Sequence, residues 1–131
     1  MLKKLKLKNV ALVEIIEINF EKGLNVFTGE SGSGKSLILD SLNSLFGGTN
    51  IPLNHLIRPG ENECLIQAIF EITPFVRNFL VDNDQFIPNN ELIISRNSFI
   101  KDSKVVSKFT LNDKAVKKKF LSELGLSLIH I

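Results

Sequence analysis

One cysteine in 131 residues rules out an internal disulfide, so a hydrophobic core must hold the fold. Cys64 falls inside an apolar, strand-like run and is expected as a buried, reduced thiol. No apolar stretch approaches the length of a membrane span. The basic start Met1-Leu2-Lys3-Lys4-Leu5-Lys6 lacks the continuous apolar core and small-residue cleavage site of a secretory signal, and Glu14 and Glu17 soon follow it. A cytoplasmic protein with no membrane partner is therefore expected. Charge of one sign is scarce as well. A formal net charge of +2 and a sequence pI of about 8.7 are too mild to establish a nucleic-acid surface. Hydrophobic residues make up 44% and charged ones 23%, which excludes a disordered tail and indicates one globular domain or part of one.

Catalytic constellations are also missing. His55 and His130 have no companions at metal-ligand spacing, and no Ser-His-Asp or Cys-His set can be assembled, so no catalytic residue is assigned. No D-x-x-G or N-K-x-D sequence occurs, which argues against a GTPase. Hydrolysis at a phosphate-binding loop needs a second acidic element, an apolar strand ending in Asp and often followed by Glu. The nearest candidate, Phe79-Leu80-Val81-Asp82, is short, follows an expected helix, and has Asn83 where Glu would help. It is rejected. Leu121-Ser122-Glu123-Leu124-Gly125 lacks the adjacent glycines of an L-S-G-G signature and reads as a helix end.

What the chain does contain is Gly29-Glu30-Ser31-Gly32-Ser33-Gly34-Lys35-Ser36, which fits G-x-x-x-x-G-K-[ST]. Phosphates need several converging backbone N–H groups, and glycine permits both the tight turns and the close approach. In this pattern Lys35 reaches the β and γ phosphates, and the Ser36 hydroxyl is the Mg²⁺ ligand. The context fits on both sides. Leu24-Asn25-Val26-Phe27-Thr28 reads as a buried strand. Ile38, Leu42, Leu45 and Phe46 recur at helical spacing from a start near Lys35, and Gly47-Gly48 ends the run. The helix start would turn its positive pole toward the anion. A site to bind a nucleotide is present, and a complete site to cleave one is not.

Before this loop, Leu5 and Leu7 alternate with lysines, Asn9 to Ala11 offers a turn or bulge, and Ile16, Ile18 and Phe20 alternate with polar residues. An antiparallel β unit is expected, with Glu21-Lys22-Gly23 turning into the next strand. Its lysines read as a solvated edge. After the helix come loops at 47–52 and Arg58-Pro59-Gly60, a strand from Ile66 to Ile72, and a short helix opened by Pro74. An exposed connection follows from Asn83 to Asn90. Leu92-Ile93-Ile94 pairs with Val105-to-Leu111 across a polar turn region from Ser98 to Ser103. Val116, Phe120 and Leu124 define a last helix closed by Gly125, with Lys117-Lys118-Lys119 on its wet side.

Several of these stretches together resemble the amino-terminal end of the RecN family, bacterial DNA-repair ATPases related to SMC proteins. They are Leu5 to Val13, Gly23 to Glu30, Ser36 to Leu42, Leu56 to Gly60 and Ala68 to Ile72. Ser107-Lys108-Phe109-Thr110-Leu111-Asn112 is similar to the family's S-x-x-x-x-N-G hairpin, with Asp113 in place of the glycine. The resemblance implies an α/β fold, the amino-terminal lobe of an ABC/SMC-type P-loop ATPase head with an antiparallel β unit before the phosphate loop. It implies ATP and Mg²⁺ as ligands, sandwiched between two heads of a homodimer, and DNA engaged by the intact, nucleoid-associated protein. Arg58 falls where related heads carry a loop arginine, and a surface turn cation explains it equally well.

On this reading residues 1–125 form the first half of a head and 126–131 a non-native tail. Leu126-Ser127-Leu128-Ile129-His130-Ile131 is what CTGTCTCTTATACACATC encodes, a transposon-end adapter. The competing reading is a genuine apolar strand. Two rival functions remain open from the sequence: another ABC-type P-loop ATPase subunit, or a non-enzymatic DNA-binding or docking module.

Overall fold

The computed structural model describes residues 2–20 and 34–129, the side chains of 34–36 and 129 excepted. The expected strand at 24–28 and most of the phosphate loop lie outside the described residues. The alternating start of the chain forms β1 (Leu2–Val10) and β2 (Val13–Asn19), paired antiparallel with Leu7 opposite Ile16. Ala11 and Leu12 make the turn between them, and Asn9 and Ala11 take positive φ of 55° and 54°. Helix α1 (Gly34–Leu45) and the short α2 (Leu53–Leu56) precede β3 (Glu63–Glu71). Helix α3 (Pro74–Asp82) opens with Pro74 in its first turn, and the Thr73 hydroxyl accepts from the Val76 N–H at 3.3 Å. Asp82 ends this helix, so Phe79–Asp82 is no acidic strand.

Strands β4 (Glu91–Lys101) and β5 (Lys104–Leu111) are followed by the two-residue β6 (Lys114–Ala115) and helix α4 (Lys118–Ile129). Among the described residues the sheet has six antiparallel strands in the order β2-β1-β3-β4-β5-β6. Register sets buried rows across it. Leu5, Ala68, Ile94 and Leu111 form one row, and Leu7, Ile66, Arg96 and Phe109 the next. Onto this face pack Ile38 and Leu45 of α1, Val76 and Leu80 of α3, and Leu121 and Leu124 of α4, in one core.

Two expectations are corrected. The polar stretch 98–103 is not a turn region, because β4 continues to Lys101 and only Asp102 and Ser103, both at positive φ, reverse the chain. Polar residues persist in these strands because they pair across them: the Ser98 and Ser107 hydroxyls lie 2.8 Å apart. Nor does Gly125 end the last helix. It sits inside α4, which runs on through 126–129, so that segment is helical and not a strand. Gly125 is instead a contact residue, since a Cβ there would lie 2.8 Å from the Phe46 ring. Its lack of a side chain lets α4 approach the end of α1. Gly125→Val is accordingly expected to overpack this junction and destabilise the fold by about 1–3 kcal/mol in urea unfolding.

Candidate functional site

Of the residues expected to hold nucleotide, Gly29, Glu30, Ser31, Gly32 and Ser33 lie outside the described residues. Gly34, Lys35 and Ser36 form the first turn of α1. The helix therefore begins inside the motif, as the sequence implies. The first N–H groups of a helix have no intrahelical partner and carry the positive end of its dipole. No acidic residue occupies the first turn, so this end suits an anion such as a phosphate.

The opposite end of α1 is held from three sides. Gly47, at φ 88°, closes a Schellman motif in which the Gly48 N–H donates to the Asn43 carbonyl at 2.8 Å and the Gly47 N–H to the Ser44 carbonyl at 3.0 Å. From α4, the Ser122 hydroxyl donates to the Phe46 carbonyl at 3.0 Å. From β4, Arg96 Nη1 donates to the Ser44 carbonyl at 2.7 Å. The helix has no basic residue in its own last turn, and the sheet supplies the cation instead.

Arg96 is 6% exposed. Its Nε donates to Ser107 Oγ at 3.0 Å, and its guanidinium lies 5.0 Å from the centroid of the Phe109 ring. Burial draws its pKa down from the ordinary arginine value, though a guanidinium remains cationic at any ordinary pH. No carboxylate pairs with it among the described residues. Its charge is met by the carbonyl end of α1, a hydroxyl and an aromatic face. Motif reading missed this residue. Period-two counting offers a signal, because 92, 94, 96 and 98 share the core face and a charge stands among them.

Arg58 is fixed through its backbone. Its N–H donates to the Asn9 carbonyl at 2.8 Å, the Ala11 N–H donates to the Leu56 carbonyl at 2.9 Å, and Ile57 bridges to Val10. The arginine loop is thereby clipped to the β1–β2 turn. Its side chain is about one-third exposed and comes within 4.0 Å of Glu61. Asn112, the hairpin asparagine, ties the hairpin to β4, with Oδ1 accepting from the Ile93 N–H at 2.6 Å and Nδ2 donating to the Glu91 carbonyl at 3.2 Å. The turn Asn112–Asp113 adopts positive φ at both positions without the family's glycine. Lys117, Lys118 and Lys119 are exposed, and His55 is exposed. No cluster of three potential metal ligands occurs among the described residues, and no described helix is long and apolar enough to cross a membrane.

Cys64 is buried and unpaired by disulfide. Burial pushes its thiol up from the ordinary 9.0, partly offset by hydrogen bonding with Ser98 and by the Arg96 charge. A thiol that holds its proton more tightly when folded leaves stability unaffected below its unfolded pKa. Above that value stability falls, until the native pKa is reached. We expect the urea midpoint to drop as the pH rises above 9.0, and Cys64→Ala to drop less over the same range.

A family model described as an AAA domain matches residues 4–130. Among curated proteins, the DNA repair protein RecN of Synechocystis sp. is 34% identical over 132 residues, covering 100% of this chain and 22% of the relative. RecN of Bacillus subtilis is 33% identical over 132 residues, with the same two coverages of 100% and 22%. RecN of Rickettsia felis is 31% identical over 131 residues, again all of this chain and 23% of the relative. The chain thus spans less than a quarter of the length of these relatives. Among solved structures, the recombination mediator protein RecF with ATP superposes with a TM-score of 0.63 at 18% identity, over 88% of this chain and 27% of that one. RecF with ATPrS gives 0.66, also at 18% identity, over 89% and 28%. At that identity the likeness is one of fold. With nearly its whole length matched by the family model, the chain belongs to the AAA domain family.

Proposed function

We propose that residues 1–125 are the ATP-binding, amino-terminal half of a two-lobed, RecN-like ATPase head acting in recombinational repair of DNA double-strand breaks. The observation that carries this is the motif Gly29 to Ser36 running directly into a helix that begins at Gly34 and has no acid in its first turn. Whole-length similarity to RecN proteins supports the repair role.

In this reading the Gly29–Gly34 backbone cradles the phosphates, Lys35 neutralises their charge, and Ser36 holds Mg²⁺. Bound Mg²⁺ would supply charge neutralisation on the phosphates during their transfer to water. The acidic strand and signature sequence that hydrolysis requires are not in these residues, so this chain by itself binds ATP weakly and turns none over. Arg58, clipped to the β1–β2 turn, is the loop arginine that approaches nucleotide or DNA. DNA and a second head are the partners of the intact protein.

Two measurements test the proposal. Calorimetry with Mg·ATP on the longest polypeptide its gene encodes should detect binding. Lys35→Ala should weaken that binding by about ten- to a hundredfold, the equivalent of one lost charge-assisted contact. Sustained ATP hydrolysis by the 131-residue chain alone, abolished by Lys35→Ala, would overturn the division of the site between two lobes.

A further inference from the structure

We infer that Arg96 is a positioning residue for the phosphate loop, acting through helix α1. The inference rests on reading Gly29–Ser36 as that loop. An α-helix is stiff along its axis, and Ser44 lies nine residues from Lys35, about 13–14 Å at the usual rise per residue. A displacement at the Ser44 end is therefore carried to the end that meets the phosphates.

The face α1 turns to the sheet is packed by apolar side chains without directional bonds of their own. Ile38 and Leu45 are its buried large side chains, and Ser41 and Ser44 lie between them. Both serine hydroxyls are buried without a hydrogen-bond partner among the described residues. They allow close approach and offer no directional bond. Direction comes from Arg96, which donates to the Ser44 carbonyl at 2.7 Å. The guanidinium is itself fixed by Ser107 and Phe109 of β5.

The arrangement has an electrostatic consequence as well. No carboxylate competes for Arg96 among the described residues, so its charge acts on the negative pole of α1. A cation there and an anion at the opposite pole stabilise the same aligned peptide dipoles. Arg96 thus holds the helix that carries Lys35 and Ser36 at a fixed height on the sheet, with its dipole supported before nucleotide arrives.

The test is a graded series in the longest polypeptide of the gene, with Mg·ATP affinity and thermal unfolding measured on each variant. A 1 Å misplacement of a site can cost about a hundredfold in rate, and the same sensitivity to position is expected to weaken Mg·ATP binding by about tenfold in Arg96→Met while the protein remains folded. Arg96→Lys keeps a cation but loses the fork that spans Ser44 and Ser107, and should fall between, near threefold weaker. Leu80→Ala, in the core of α3 and outside the anchors at the end of α1, serves as the control: it should lower the melting temperature and leave affinity unchanged.

Wild-type affinity in Arg96→Met overturns the inference, as does an equal loss in Leu80→Ala, which would reduce Arg96 to general stability. Should Arg96→Met fail to fold, Arg96→Lys decides, and unchanged affinity there overturns the inference. If the wild type does not bind Mg·ATP, or Lys35→Ala binds as well as wild type, the phosphate-loop reading itself falls. If Lys35→Ala loses binding and Arg96→Met does not, only the inference falls.

Discussion

The hydrogen bond from Arg96 to the Ser44 carbonyl is the constraint on which the organisation of this domain depends. It joins the end of the first helix to the middle of the sheet, and it places a cation in a row otherwise filled by Leu7, Ile66 and Phe109. An isolated buried charge would be too costly to keep. This one persists because a carbonyl at the negative end of a helix, a serine hydroxyl and an aromatic face together replace water around it. The surrounding sequence follows from that. Ser107 must be a hydroxyl, Phe109 must present a ring, and α1 must carry small residues where it crosses the strands.

Close approach is the second theme. Helix α1 meets the sheet through serines, and its end meets α4 where Gly125 leaves room for Phe46. Phe46 in turn lies 5.8 Å from Phe70 of β3, ring centre to ring centre. Phe79 and Phe120 pair at 5.7 Å and join α3 to α4. Aromatic side chains therefore fill the junctions between elements, and residues with little or no side chain set the distances between them. The dense anchoring at one end of α1 contrasts with the other end, where the first N–H groups of a helix have no intrahelical partner. On the proposed reading, a helix fixed at its negative pole is suited to receive phosphate at its positive pole without moving.

The strand residues show how polar groups are tolerated in such a sheet. Ser98 and Ser107 bond to each other, Gln67 donates to Ser95 at 3.0 Å, and Asn112 stitches two backbone groups of β4. Each of these polar groups has a local partner across one strand spacing. Outer charges behave differently. Lys3 with Glu91 and Lys4 with Glu17 form short, half-exposed pairs, which contribute little to stability and mainly keep the sheet's surface soluble.

Local features were legible in the residues alone: the period-two strands, Pro74 opening a helix, Gly47-Gly48 closing one, a buried Cys64, and a phosphate-binding pattern with a helix starting inside it. These follow from backbone sterics and from alternation, which act over a few residues. Ser98 to Ser103 reads wrongly as a turn and Gly125 as a helix stop, because polarity and glycine are ordinary loop signals. In the folded chain those residues answer to distant partners, Ser107 and Phe46. The strand order, the clipping of Arg58 to the β1–β2 turn and the burial of Arg96 against α1 came from the three-dimensional arrangement. They depend on contacts between residues tens of positions apart, and no local pattern encodes which distant carbonyl a buried cation will find.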